Sequence, residues 1–386
     1  MNNLLNSFPW TQAPLIVNAP MGGSAGPALA LAVTRAGGLG LMGIDPAGAK
    51  LEPWLDGATK SLDEQPVQGG HDAGSSTTMS SDLEYLPLGI GFLVSFTKLD
   101  LVMEVLEKRT EKKGLPPAVV WFFAAAEPSI DIYSTWAKRI RQHYTKAGQH
   151  VPQVWIQVGG SALAAVKLAE SDAKPDAIIM QGSDAGGHGM ERGASIVGLL
   201  PETKQLLARS ISSDRRPHVL ASGGIVSAQG VAAALCLGAE GVIMGTRFLA
   251  SPETFVPHPE YRKRVLAAKD GALNTIRAKV FDELTGPNIW PLEYDGRALV
   301  SRSWRDMHED GLPIETIRDG VAKAAKETDG GYAIESDRAV IWCGTGVGLV
   351  NEEKKAGDVV VEVREGAKAL LGEVRRGLDS ERDSRL

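Results

Sequence analysis

The stretch "QGSDAGGHG" (181–189) sets one histidine among four glycines, directly after the apolar run "AIIM". Glycine accepts positive φ and lets other atoms approach the backbone closely, so this density points to a tight turn or to a ligand pressed against main chain. An unperturbed imidazole titrates near neutrality, which suits His188 to take a proton from a weak carbon acid or to hold an anion by charge. A lone histidine is more commonly structural, but one held between glycines just after a strand favours chemistry. Asp184 is its only acidic neighbour in sequence. No cysteine stands in this loop, which excludes thiohemiacetal or thioimidate chemistry there.

Two further glycine turns carry a second chemistry. "ASGGI" (221–225) and "IMGTRF" (243–248) each follow an apolar run. Such turns offer backbone N–H groups to an anion, and a helix N-terminus behind them adds positive dipole. A phosphate monoester fits: Gly223, Gly224 and Gly245 allow close backbone approach, Ser222 and Thr246 supply hydroxyl donors, and Arg247 a charge. A plain βα turn would account for Gly223 and Gly224 alone; two turns in this order favour phosphate. At "APM" (19–21), Pro20 withholds an amide donor while the backbone around Met21 and Gly22 is open to a flat ring. Gln157 and Gln181 end two other apolar runs. Amides that both donate and accept suit the alternating N and C=O groups of an isoalloxazine's pyrimidine edge. The alternative is that the two glutamines hydrogen-bond each other.

For these residues to share one site, a fold must gather them at one end. Eight apolar or β-branched runs recur: "LIVNAPM" (15–21), "GLGLMG" (38–43), "LGIGFLV" (88–94), "AVVWFFA" (118–124), "QVWIQVG" (153–159), "AIIMQG" (177–182), "HVLASGG" (218–224) and "GVIMGTRFL" (241–249). Near-continuous apolar runs are what parallel strands buried on both faces require. Between them lie helix-like segments such as "GPALALAVTRAG" (26–37), "SALAAVKLAESD" (161–172) and "SAQGVAAALCLG" (227–238), the last two opening on a serine suited to N-capping. Eight such units match an α/β fold of the (β/α)8 TIM barrel type, whose ligands sit at the C-terminal ends of the strands. A doubly wound open sheet uses the same alternation; the glycine turns in the last two units favour the barrel.

Two regions break the rhythm. Residues 64–82 are a Gly/Ser-rich insert expected to be a flexible surface loop, with His71 solvated. Residues 256–339 lack strand signals and are expected to form a helical segment or small second domain over the barrel mouth, between barrel residues 1–255 and 340–386. The stretch from 356 to 386 reads as a closing helix with a charged end. His143, His150, His218, His258 and His308 are scattered without metal spacing, and Cys236 and Cys343 fit none; no metal is expected.

The chain has 386 residues, 43% apolar, with 41 basic against 47 acidic side chains, so it buries a large core and lacks the basic stripe that tracks phosphate backbones. Nucleic acid is excluded as a partner. Two isolated thiols suit a reducing compartment, and no signal peptide or long apolar segment is present, which points to a cytoplasmic or otherwise intracellular protein. A homodimer stays open.

The motifs "NAPMGGSAGPALALAVTRAGGLGLMG", "QGSDAGGHG", "VLASGGIVSAQGVAAALCLGAEGVIMGTRFLAS" and "WPLEYDGRAL" resemble those of the nitronate monooxygenase (2-nitropropane dioxygenase) family of FMN-dependent barrels. The likeness runs from about residue 14 to the end and is densest over 177–251. FMN-dependent enoyl-ACP reductases and some NADH:quinone reductases are similar around "AGGH". The resemblance implies that His188 is the catalytic base and that FMN is held at Pro20, Met21, Gln157, Gln181, Gly186, Gly187, Gly223, Gly224, Gly245 and Thr246. It implies oxidation of alkyl nitronates, or nitroalkanes, by O2 to a carbonyl compound and nitrite. An NAD(P)H-dependent FMN reductase of a quinone or enoyl thioester is the alternative within enzymes, and a non-catalytic flavin-binding protein the alternative outside them. One departure stands out: many bacterial members have an asparagine touching the flavin after the third strand, where this chain has Gly91, leaving that flavin edge to backbone or water.

Overall fold

All eight apolar runs become parallel strands in a computed structural model that describes residues 4–69, 83–125 and 130–383. Most of the Gly/Ser-rich insert, with His71, lies outside those residues. The strands are β1 (Ile16–Asn18), β2 (Leu41–Gly43), β3 (Leu86–Leu93), β4 (Pro117–Phe123), β5 (Gln153–Gly159) and β6 (Ala177–Gln181); then, after a separate strand β7 (Gly187–Met190), β8 (His218–Ser222) and β9 (Val242–Met244). They pair in the order β1-β9-β8-β6-β5-β4-β3-β2.

The two ends of that sheet meet. A parallel bridge joins Val17 to Leu39, and the Leu39 N–H donates to the Ile16 carbonyl at 3.0 Å. Asn18 completes the seam with its side chain: Nδ2 donates to the Leu41 carbonyl at 2.7 Å and Oδ1 accepts from the Leu41 N–H at 2.9 Å. A fully buried primary amide thus stands in for a missing ladder rung, satisfying groups that are costly to bury unpaired. The sheet is a (β/α)8 barrel with its interior filled by side chains, as the unbroken burial of β4 requires.

Helices cover the outside. Ser227 caps the helix Ala228–Cys236 by accepting from Gly230 N–H at 3.3 Å, whereas Ser161, expected to do the same for Ala162–Glu170, makes no such bond. The eighth outer helix is supplied from far along the chain: Ala356–Asp383 packs against the first (Pro27–Arg35) and seventh (Ala228–Cys236) helices, closing the ring. Its buried stripe is Ala356, Val359, Val360, Val363 and Ala367, at helical spacing.

The chain between β9 and that closing helix holds the main departure from the sequence expectation. Residues 256–339 are largely helical in their regular structure, yet they also contribute β10 (Thr275–Ala278) and β11 (Tyr294–Leu299). These join β7 in a three-stranded antiparallel sheet, β10-β11-β7. Short strands of mixed polarity ("TIRA", "YDGRAL") lack the continuous apolar run of a buried parallel strand, so the criterion that found the barrel passes over them. A small cluster of Val280, Phe281, Leu284, Ala298 and Ile317 fixes this sheet to its own helices.

Candidate active site

A cavity of about 420 Å³ opens where the barrel strands end. Pro20 and Met21 follow β1, Gln157 lies in β5, Gln181 ends β6, and Thr246 follows β9; all five are on its wall. Gly186, Gly187 and His188 complete that side. Gly91 is on the wall too, and a Cβ built there would lie 2.6 Å from Pro20 Cβ, so the ring of Pro20 occupies the space a side chain at 91 would need.

The glutamines do not bond each other among the described residues. Gln181 Nε2 donates to the His188 carbonyl at 3.1 Å, which pins the start of β7 to the end of β6, while its Oε1 is buried without a partner. The indole N–H of Trp121, on the cavity wall and 1% exposed, also lacks an acceptor. Unpaired buried polar atoms are costly and uncommon, and where they line a cavity they are groups left for a ligand.

His188 sits on β7, with Gly296 of β11 opposite it in register. Its acidic partner is not Asp184 but Asp282, 94 residues away: Nε2 and Asp282 Oδ1 are 2.6 Å apart. Asp184 faces Thr345 instead: its carboxylate Oδ1 accepts from the Thr345 hydroxyl at 3.4 Å and its main-chain carbonyl from the Thr345 N–H at 3.1 Å. The imidazole stacks on Trp290 with ring centroids 3.7 Å apart and planes within 9°, and Trp342 leans on it at 4.7 Å. Room for Trp342 depends on Gly296, where a Cβ would come within 2.2 Å of the indole.

Both glycine turns follow barrel strands, β8 and β9. Gly223 and Gly224 have φ of 104° and 74°, which only glycine holds without strain, and their N–H groups find no acceptor among the described residues. Ser222, Gly223, Gly224 and Gly245 lie off the cavity wall; Thr246 lies on it. Covering them is the loop Cys343–Gly346, absent from the sequence expectations. Gly344 N–H donates to Thr246 Oγ1 at 2.9 Å, leaving the hydroxyl proton free to give, and a Cβ at Gly346 would be 2.8 Å from the Gly224 carbonyl. A Cβ at Gly186 would strike the Cys343 carbonyl carbon at 2.3 Å. The helix behind the second turn is one turn long, Thr246–Leu249, so individual N–H groups, and not a macrodipole, are what that turn offers. Arg247 is turned away from it: Nη1 donates to the Glu352 carbonyl at 3.3 Å, and Glu352 and Glu362 flank Nη2.

Sequence reasoning assigns no role to Asp282 or Trp342, takes Trp290 only as the first residue of the motif "WPLEYDGRAL", and reads Cys343 as an isolated thiol. For Trp342 and Cys343 the signal is "WCGTGVG" (342–348), a fourth glycine-rich turn. It brings a thiol to the wall after all, but burial pushes the Cys343 thiol up to about 12, so it stays protonated and unreactive at neutral pH. Tyr261, also on the wall, fixes the loop by donating to the Trp342 carbonyl at 3.0 Å. Among the described residues no group of three or more His, Cys, Asp or Glu side chains could hold a metal ion, and no helix is long and apolar enough to cross a membrane.

A nitronate monooxygenase family model matches residues 124–366, which span the sixth-strand loop, both glycine turns and the strands that flank His188. The chain is 37% identical over 372 residues to a nitronate monooxygenase of Metarhizium robertsii, covering 96% of each. The chain belongs to the nitronate monooxygenase family. A nitronate monooxygenase of Neurospora crassa is 35% identical over 384 residues, with 96% of this chain and 94% of that protein aligned. Among solved structures, FabK from Thermotoga maritima superposes with a TM-score of 0.64 at 25% identity, covering 97% of this chain and 99% of that one. The sequence likeness to these family members and the structural likeness to FabK both run over nearly the whole chain.

Proposed function

We propose that the chain oxidises alkyl nitronates, and the nitroalkanes from which they form, with O2 to a carbonyl compound and nitrite, using FMN bound non-covalently in this cavity. The observation that carries the reading is His188, on the wall of a cavity at the strand ends and stacked on Trp290, in a chain of this family.

A flavin fits the residues present. Gln157, Gln181 Oε1 and the Trp121 indole N–H are polar groups on the wall suited to the hydrogen-bonding edge of an isoalloxazine. Pro20 and Met21 would lie against the ring, and the free N–H groups of Gly223 and Gly224 with the Thr246 hydroxyl would hold the phosphate, alongside Gly186, Gly187, Ser222 and Gly245. Bound FMN would supply the electron acceptor and the reaction with O2.

The protein's own contribution is positioning and one proton. The unprotonated imidazole of His188 takes the proton from the carbon next to the nitro group; the C–H electron pair stays on the substrate as nitronate. With nitronate as the substrate that step is already complete, and the imidazolium holds the anion. Trp290 and Trp342 exclude water from the ring. Residues 256–339 form the substrate-side segment in this reading, since they supply Asp282 and Trp290. Heat release and mass identification of the cofactor, with oxygen uptake and nitrite yield on a nitronate, test it. FMN with nitrite formation is the expected result; no flavin, or NAD(P)H consumed with quinone while nitronate is untouched, overturns it.

A further inference from the structure

Asp282 is the least accounted-for charge near the cavity. Its side chain is 7% exposed, one oxygen meets His188 Nε2 at 2.6 Å, and the other is buried with no partner. A buried carboxylate with a single neutral donor is costly, whereas an imidazolium beside it would offset that cost. Two cations around the imidazole pair with other carboxylates, and Arg297 meets neutral oxygens, with its Nε buried and unpartnered. Arg277 pairs with Asp295, Arg297 Nη2 donates to the Ser183 carbonyl at 3.2 Å, and Lys279 pairs with Glu191 at 3.2 Å. Asp282 is absent from the cavity wall that His188 shares with Trp290 and Trp342. A carboxylate that lies off that wall and touches the ring touches the substrate only through the imidazole.

We infer that Asp282 is a positioning residue for His188. Its carboxylate accepts a hydrogen bond from Nε2–H, which fixes the tautomer and leaves the Nδ1 lone pair as the atom that receives the substrate proton. The proton passes from the substrate carbon to Nδ1, no electrons leave the substrate, and the positive charge that develops on the ring meets a negative charge already in place. The Nε2 contact with Asp282 sets which edge of the ring faces away from the wall, and stacking on Trp290 and the contact with Trp342 hold its plane. This rests on His188 being the base, as proposed above.

Selective ¹⁵N-histidine labelling of the flavin-free protein reads the tautomer directly, with His188→Asn used to assign the signal and no variant at 282 required. Neutral His188 should show a protonated, pyrrole-type Nε2 and a pyridine-type Nδ1; a proton on Nδ1, or a mixture of tautomers, overturns the inference. In flavin-loaded enzyme, Asp282→Asn should lower kcat/KM for a neutral nitroalkane by about 10²-fold and for the matched nitronate by less than about tenfold. If His188→Asn impairs nitroalkane turnover and Asp282→Asn does not, Asp282 has no positioning role. If His188→Asn itself leaves nitroalkane turnover unchanged, it is the assignment of the base that fails.

Discussion

The two walls of the cavity are made in opposite ways. The wall of β1, β6 and β9 is backed by glycine turns: Gly186 on the wall, and Gly223 and Gly224 behind it, each leave no room for a Cβ against backbone or a neighbouring Cβ. The wall of β7, β11 and residue 342 is set by side chains. There His188, Trp290 and Trp342, with Asp282 behind His188 and off the wall, come from four separate segments and touch ring to ring or ring to carboxylate. Where backbone defines a surface, its shape is fixed by a few residues without side chains. Where large side chains define it, each is replaceable at a cost in chemistry more than in fold. The first wall suits a constant cofactor, the second a substrate.

Substitutions that add one carbon test the first wall. Gly186→Ala should have the largest effect, because the obstructing atom is the backbone of Cys343 and the loop must move as a unit; about 2–3 kcal/mol of stability and nearly all flavin retention should be lost, measured by thermal denaturation and flavin absorbance. Gly224→Ala is next, at about 1–2 kcal/mol, since it combines a φ of 74° with an approach of 2.9 Å to Asp184 Cβ. Gly245→Ala is the control. Its φ is −108° and the nearest atoms are 3.6 and 3.8 Å away, so stability should change by less than about 0.5 kcal/mol. Equal losses at 224 and 245 would break the distinction between them.

On the second wall, Trp290→Leu should leave flavin content unchanged and cost about 1 kcal/mol of stacking on His188, read as a severalfold rise in KM for nitroalkane. A parallel loss of flavin would show that the two walls are not separable.

An effect on stability alone lies at the far end of the barrel. Burial opposes ionisation of Glu240, but hydrogen bonds from His218 and Lys204 prevail and hold its carboxyl down at about 2. A depressed carboxylate contributes stability above its unfolded value of 4.5 and loses it as pH falls toward 2. Because about a third of the side chain is exposed, Glu240→Gln should cost only about 1 kcal/mol at pH 7, the difference vanishing between pH 4.5 and 2, with turnover unaffected. A change in kcat would mean that the barrel base and mouth are coupled.

This division also explains what was legible in the sequence. The eight barrel strands, the phosphate-type turns and His188 stand in short runs whose spacing carries the geometry, and all eight strands form where the apolar runs fall. Asp282 was illegible because its partner is 94 residues away and nothing in "KVFDEL" differs from an ordinary surface helix. β10 and β11 escaped for a related reason, since short antiparallel strands such as "TIRA" and "YDGRAL" carry Arg277, Asp295 and Arg297 among their apolar residues and form no apolar run, even where, as in β11, they are mostly buried. Arg247, credited with a free charge, sits beside Glu352 and Glu362, residues that the closing helix and the loop before it bring back from more than 100 positions away.

The central claim is that His188 is where the two walls meet on the substrate. Steady-state oxygen uptake by wild type and His188→Asn, each with full flavin occupancy and each given a matched nitroalkane and nitronate, tests it most directly. The variant should lose about 10²–10⁴-fold on the nitroalkane and markedly less on the nitronate, whose proton is already gone. Equal activity of the two proteins on both substrates would contradict the claim and leave His188 a packing residue between two tryptophans.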